Sequence, residues 1–275
     1  MPQATNPATA DRTRGDDPRA CESRAPGLCA NVRRILALGL VAGYVDAVGF
    51  LDLGGVHIAA MTGDTIELGI SAARDDRARL VGVAATIAAF FAGGLAAGCL
   101  RRRAPCPAVA LTVMIGLILS AQLVRSIRPD PVAVELPLLA LAMATQGQAL
   151  SRFGGARVQT VVVTSNLLNF ADAAVGRRFA PRAAGAARPD AAEVVLPACV
   201  WLGHAFGAVG GALAVMRLPL PLIAPALALL VVAADFFLAD GAGSRPRCQR
   251  DAAPEGASAT AASAVSSRKV KLSSR

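Results

Sequence analysis

Long apolar runs alternate along the chain with short segments rich in arginine or proline. Each run has about 18–22 residues, and a helix of that length spans the ~30 Å hydrocarbon core of a bilayer at a rise of about 1.5 Å per residue. The pattern therefore predicts an all-α fold, a polytopic bundle of transmembrane helices. The six runs cover residues 35–53, 80–100, 108–125, 132–150, 194–215 and 219–239.

Two further apolar segments, residues 56–73 and 158–175, carry polar groups that are expensive to expose to lipid. A charged side chain at the centre of a bilayer costs about 2.5–3.5 kcal/mol on the insertion scale. We therefore predict two polar short helices that pack inside the bundle without crossing it, which leaves about six spans. Eight spans are the alternative. The polar residues are His57, Asp64 and Glu67 in the first segment, and Gln159, Asn166, Asn169 and Asp172 in the second.

The composition supports a membrane protein and argues against other classes. Apolar residues make up 54% of the chain and charged residues 17%, whereas soluble domains have about 25% charged residues. Arginines flank the apolar runs and contribute to a net charge of +9, and their placement predicts a membrane protein with both termini in the cytoplasm. The arginine totals on the two sides are the same for six and for eight spans. The chain has one Tyr and one Trp, which leaves little for stacking on nucleic-acid bases, so no nucleic-acid partner is expected. The predicted partner is the lipid bilayer.

The domain organisation follows from the same pattern. Residues 1–32 and 240–275 lack an apolar period, which predicts two disordered tails around a transmembrane domain at 33–239. None of the six cysteines forms a C-x-x-C pair, and the sequence has no nucleophile elbow, phosphate loop or HExxH motif. We therefore expect no metal site, no cofactor and no enzymatic activity.

The chain contains an internal repeat, with halves at about 35–127 and 132–239. The segments VHIAAMTGDTIELGISAA and VQTVVVTSNLLNFADAAV each follow a Gly-Gly pair, and TGD at 62–64 aligns with TSN at 164–166. Three spans per half place the halves in opposite orientations, a design that recurs in transporters whose helices break near the bilayer midplane. The alternative is a duplicated structural bundle in which Thr and Asn side chains hydrogen-bond between helices.

The same motifs resemble a known family. The runs AGYVDAVGFLDLGG and MTGDT are similar to AGxxDAxGFxxLGG and SHMTGNT of the YoaK-like bacterial membrane family, and AMATQGQALSRFGG and VTSNL to its AMGxQNAxxRRLGG and VTGNL. The resemblance covers nearly all of residues 35–239 and implies a bacterial inner-membrane protein of unknown function, with no established substrate. The chain departs from the family pattern at Ala60 (His in the family), Asp64 (Asn), Gly147 (Asn) and Ser165 (Gly).

Polar residues within the apolar segments are the candidate site. Asp46 lies midway along the first run, and an intramembrane carboxylate is a functional hypothesis by default, although it can also fix helix packing. The TGDT turn offers hydroxyls and backbone groups to a solute or ion; in the structural alternative, Thr62 or Asp64 caps the helix that follows. The hypothetical substrate-binding set is Asp46, Thr62, Gly63, Asp64, Thr65, Gln146, Thr164, Ser165 and Asn166.

For the other polar residues, a structural role is the preferred interpretation. Gln146 is expected to hydrogen-bond across the bundle. Glu67 shares a helix face with Asp64, which allows a proton-coupled pair but favours a solvated face. His57 and His204 lie half a chain apart without ligand spacing, and the glycines of the 194–215 run indicate close helix packing.

Two functions follow from these residues. The first is a transporter or channel-like protein for a small polar solute or ion, motivated by the repeated T-x-D/N breaks. The second is a non-transporting membrane scaffold or assembly partner whose polar groups only join helices.

Overall fold

The computed structural model describes residues 27–104, 106–128, 130–153, 156–179 and 190–241, and within them the chain forms eight helices. The predicted all-α fold is confirmed, with the addition of a small antiparallel pair of two-residue strands, β1 (Arg152–Phe153) and β2 (Ala156–Arg157). Most of the two predicted tails lies outside the described residues. The helices are α1 (Leu28–Asp52), α2 (Met61–Ala73), α3 (Arg77–Arg103), α4 (Pro107–Ile127), α5 (Val132–Ala149), α6 (Val163–Phe179), α7 (Ala191–Arg217) and α8 (Ile223–Gly241).

The six apolar runs correspond to the six longest helices. α1 begins at Leu28 and α8 ends at Gly241, so residues 28–32 and 240–241 are helical, although the sequence placed them in the tails. Among the described residues, four helices are long and apolar enough to cross a membrane: α1, α3, α4 and α7. The polar segments form the shortest helices, α2 with 13 residues and α6 with 17. A helix of 13 residues is about 20 Å long, which is less than the hydrocarbon thickness.

Local sequence signals set several helix ends. Asp76 caps α3 by accepting a hydrogen bond from the Arg79 N–H at 3.2 Å. Pro107 begins α4, where its missing N–H would have had no helical partner. Gly54 and Gly55 follow α1 with φ angles of +84° and +75°, a conformation that glycine adopts without strain, and they reverse the chain.

α1 packs closely along α7 through glycines. A methyl group at Gly203 would lie 2.5 Å from the Leu36 carbonyl oxygen, and one at Gly211 would overlap the Tyr44 carbonyl oxygen. Side chains at these positions would therefore force the two helices apart. Because the contacts advance in the same direction along both helices, α1 and α7 run parallel.

We call the loop between α1 and α2 the first helix break. Polar contacts next to it bring the end of α1 to the start of α3. Arg79, near the start of α3, donates to the Gly54 carbonyl oxygen at 2.9 Å and pairs with Glu67 of α2. Gly54 comes two residues after α1 ends. The chain therefore leaves α1 and enters α3 at the same end of the bundle, and α2 does not carry it to the other end.

Further ion pairs show the directions in which the remaining helices run. Arg125, at the end of α4, pairs with Asp52 at the end of α1 and with Glu135 near the start of α5. At the opposite end of the bundle, Arg34 of α1 pairs with Asp235 near the end of α8 at 2.7 Å. Helices α1, α4 and α7 therefore run in one direction, and α3, α5 and α8 run in the other.

Candidate functional site

The loop between α1 and α2 folds back against the buried part of α1. The Oδ1 atom of Asp46 accepts hydrogen bonds from the backbone N–H groups of Ile58 at 2.7 Å and Ala59 at 2.6 Å. The Ile58 side chain lies against Gly49, where there is no side chain to displace it. Because buried N–H groups need an acceptor, Asp46 holds the loop inside the bundle instead of leaving it at the surface.

Asp64 lies beneath the same loop, in the first turns of α2. Its Oδ1 atom accepts a hydrogen bond from the His57 N–H at 2.9 Å. Its Oδ2 atom is buried, and no donor from the described part of the protein is within hydrogen-bond distance of it. Only 1% of the residue is exposed. A buried carboxylate oxygen without a donor is costly, so a hydrogen-bond donor is missing from the site at this atom.

Two histidines flank the carboxylates. His204 of α7 places Nε2 3.7 Å from Oδ2 of Asp46, and its Nδ1 atom is buried without a partner among the described residues. The His57 ring stacks on Phe50 with a centroid separation of 5.0 Å, and it also fills the space beside Gly63. We refer to Asp46, His57, Asp64 and His204 as the carboxylate cluster.

The electrostatics of the carboxylate cluster favour a positively charged or proton-donating ligand. Burial raises the pKa of the Asp64 carboxyl to about 6, and the negative charges of Asp46 and Glu67 add to this rise. The N–H and the imidazole of His57 act in the opposite direction. Glu67 is paired with Arg79, whereas no arginine of the described structure pairs with either cluster carboxylate.

The second helix break, between α5 and α6, has a neutral version of this arrangement. Asn166 corresponds to Asp64, and its amide donates to the carbonyl oxygens of Gln159 and Val162, the latter at 2.8 Å. Gln146 donates from Nε2 to the Leu38 carbonyl oxygen of α1 at 3.0 Å, which agrees with its predicted role across the bundle. The Oδ1 of Asn166 and the Oε1 of Gln146 are both buried without a partner within the described residues.

The remaining predicted site residues lie away from these buried groups. Thr62, Thr65 and Thr164 are exposed, and Ser165 is half-buried with its hydroxyl donating to the Val162 carbonyl oxygen at 3.3 Å. The Thr65 hydroxyl donates back to Met61, one turn earlier in α2, at 2.8 Å. The structure therefore brings Asp46, Asp64 and the backbone around them together, but not the threonines.

One sequence interpretation is wrong, and one residue of the cluster was missed. Neither Thr62 nor Asp64 caps α2, because the capping residue is Ala60 and its side chain makes no such bond. Asp64 lies one turn inside the helix and accepts a hydrogen bond from the loop that precedes it. His204 is the residue that sequence reasoning missed, since it is 158 positions from Asp46 and only the α1–α7 packing brings the two together.

Comparison with known proteins now places the chain. Residues 35–234 match the family described as "Protein of unknown function (DUF1275)". The chain belongs to this family. It is also 29% identical over 150 residues to the UPF0700 transmembrane protein YoaK of Bacillus subtilis (strain 168), an alignment that covers 52% of this chain and 66% of that protein. The resemblance to a YoaK-like membrane family is thereby confirmed.

The family relationship and the apolar helices together identify a multi-pass membrane protein whose helices contact the lipid bilayer. The family carries no assigned activity. No solved structure matches the chain. Its function must therefore be inferred from the buried polar groups at the two helix breaks.

Proposed function

We propose that the protein is an inner-membrane transporter for a small polar solute or ion, with six spans, both termini in the cytoplasm and no enzymatic role. The two halves of the chain are proposed to be inverted repeats. α2 and α6 are the polar helices that enter the bundle from opposite sides without crossing it, as in transporters built from inverted repeats.

The pattern of helix contacts supports this repeat. When α1–α4 are matched in order with α5–α8, the packing of α1 on α7 corresponds to that of α5 on α3. The packing of α2 on α3 corresponds to that of α6 on α7, and α4 on α5 corresponds to α8 on α1. The opposite directions of α1 and α5 fit an inverted relationship, because they are the first helices of the two halves.

One observation carries the proposal of transport: the buried Oδ2 atom of Asp64, which has no donor among the described residues, at a break between spanning helices. Asp46 places a second carboxylate in the same cluster. A buried carboxylate that accepts one backbone hydrogen bond and has no paired arginine in the described structure is destabilising, so a purely structural bundle gains nothing from it. A polar or cationic solute, or a proton, would complete it.

Flux measurements in proteoliposomes test this function. Wild-type protein should move a radiolabelled solute from a panel of small polar metabolites and monovalent cations. Asp46→Asn and Asp64→Ala should insert normally yet reduce that flux at least tenfold. Asp75→Asn, in the exposed turn between α2 and α3, is the matched control and should keep full flux. Wild-type vesicles that move no member of the panel would refute transport.

A membrane scaffold is the second candidate, and a specific observation favours it. Several buried polar groups join elements that are distant in sequence: the Gln122 Oε1 atom accepts from the Leu222 N–H at 3.0 Å, and the Tyr44 hydroxyl donates to the Pro221 carbonyl oxygen at 2.6 Å. In this case Asp46→Asn should lower the melting temperature in detergent or release a copurifying partner, with no flux to lose. Full flux in wild-type vesicles would exclude this candidate.

A further inference from the structure

We propose that the Asp64 carboxyl is a proton-binding site, and that the proton it binds at Oδ2 is the coupling ion of the transporter. The coupling role rests on the proposed function, whereas proton binding does not. The site lies between the α1–α2 loop and the first turns of α2, where Asp64 is buried.

The geometry leaves one place for a proton. The Oδ1 atom of Asp64 is occupied by the His57 N–H at 2.9 Å, and Oδ2 is buried with no donor among the described residues. A proton on Oδ2 neutralises the buried charge without breaking the bond to the loop. Because a neutral carboxyl costs far less to bury than a carboxylate, protonation removes most of the penalty.

The charged and titratable groups around Asp64 determine how the proton is held. α1 contributes Asp46, and the loop contributes His57. α2 contributes Glu67, whose charge is balanced by Arg79 of α3. α7 contributes His204, whose Nε2 atom lies 3.7 Å from Oδ2 of Asp46.

The second half of the chain provides an internal comparison. Asn166, the counterpart of Asp64, is buried at 0% exposure and bonds to the loop before its own helix, at Gln159. Asn has nearly the shape of a protonated Asp but cannot ionise. Protonated Asp64 therefore resembles the permanently neutral residue of the other break, and ionised Asp64 is a state that only the first half can reach.

The expected titration lies in the physiological range. With its pKa raised to about 6, Asp64 would bind a proton in a mildly acidic compartment and release it near pH 7 to 8. Across the bacterial membrane, this would allow uptake of a proton from the acidic outer side and release to the cytoplasm.

Infrared difference spectroscopy of the full-length protein in lipid nanodiscs tests proton binding directly. The carbonyl stretch of one protonated carboxyl should be present at pH 5 and lost by pH 8. Labelling with [13C]aspartate should shift this band, which assigns it to Asp and not to Glu. Asp64→Asn should abolish the band, and Asp75→Asn should keep it.

Two results would overturn the inference: no aspartate band that titrates between pH 5 and pH 8 in the labelled wild-type protein, or the same band in Asp64→Asn. The wild-type measurement decides the question even if the variant fails to fold.

A vesicle assay tests the coupling role separately from proton binding. An inward proton gradient should raise solute uptake several-fold in wild type and not in Asp64→Asn. If the band titrates and no solute moves, proton binding stands and transport fails; if solute moves without a titrating band, transport stands and this inference fails.

Discussion

At the scale of single residues, the two carboxylates of the cluster differ in how completely the protein satisfies them. Asp46 accepts two backbone hydrogen bonds and faces His204, so it stabilises the folded loop. Asp64 accepts one and leaves its second oxygen buried and unpaired within the described structure. Asp46 therefore has a clear structural role, and Asp64 has the stronger case for a functional one.

Removing the acceptor at Asp46 should destabilise the protein more than removing its charge. In Asp46→Ala, the buried N–H groups of Ile58 and Ala59 lose their partner, at a cost of about 1–3 kcal/mol each. In Asp46→Asn, the amide oxygen can still accept both bonds. We expect a clearly lower melting temperature in detergent for the Ala variant than for the Asn variant. Equal melting temperatures would mean that these two bonds contribute little.

The raised pKa of Asp64 predicts the sign of a pH effect on stability. Between the unfolded value near 3.9 and the folded value of about 6, the folded protein binds the proton more tightly, so stability falls as pH rises through this window. The full cost is present above pH 6 and amounts to about 3 kcal/mol at most. Melting curves at pH 5 and pH 8 should therefore differ more for wild type than for Asp64→Asn. An equal pH dependence in both proteins would contradict this assignment.

The pair of Arg125 and Glu135 should behave as a buried ion pair. Glu135 is completely buried, and Arg125 donates to it at 2.9 Å. Arg125→Met leaves an unpaired buried charge and should cost about 3–5 kcal/mol, whereas Arg125→Met combined with Glu135→Leu should recover much of that loss. Thermal denaturation of the single and double variants measures this coupling. A double variant that is less stable than Arg125→Met alone would show that the pair is net stabilising.

The sequence could predict which polar residues are buried only where an apolar run surrounds them on both sides, as around Asp46 and Gln146. It could not decide which residues of the TGDT turn face inward, because that depends on where α2 begins. The helix begins at Met61, which turns Asp64 into the bundle and leaves Thr62 and Thr65 outside. His204 could not be predicted, because its proximity to Asp46 is a property of tertiary packing.

At the scale of elements, the interface between α1 and α7 positions the cluster. Glycines on both helices bring the backbones together, and this places His204 of α7 next to Asp46 of α1. The sequence predicted close packing from the glycines of the 194–215 run, and Gly203, Gly207 and Gly211 do contact α1. It could not name the partner helix, because small residues indicate a close approach without specifying to what.

The effect of a substitution on stability should depend strongly on whether the residue faces the α1–α7 interface. A methyl group at Gly207 would overlap the Leu40 carbonyl oxygen, so Gly207→Ala must push α7 away from α1 at a cost of about 1–3 kcal/mol. At Gly210, the added carbon would lie 3.7 Å from the Tyr44 ring, an ordinary contact. Gly210→Ala is therefore the matched control. Melting temperatures should fall for Gly207→Ala and stay within error for Gly210→Ala; the reverse order would exclude this packing.

At the scale of the whole molecule, the contacts at helix ends support the proposal of six spans. Arginine totals could not separate the two topologies from sequence, since both place the same number of arginines on each side. The contact of Arg79 with the Gly54 carbonyl oxygen adds the missing constraint, because it brings the start of α3 to the end of α1. With α2 confined to that end, α1, α3 and α4 alternate in direction, as the six-span proposal requires, and α5, the first helix of the second half, runs opposite to α1.

Cysteine labelling in a cysteine-free background tests this topology. Single cysteines at Asp75, in the turn between α2 and α3, and at Ala104, after α3, should report opposite sides of the membrane, with position 75 outside. Cys29, near the start of α1 and exposed, should react from the same side as position 104 when it is restored alone. The physical reason is that Asp64 and Glu67 prevent α2 from facing lipid, and Arg79 joins α3 to the end of α1. An eight-span chain would instead expose position 75 with Cys29 on the cytoplasmic side and position 104 outside. That result would make the two halves parallel and remove the inverted-repeat argument for transport.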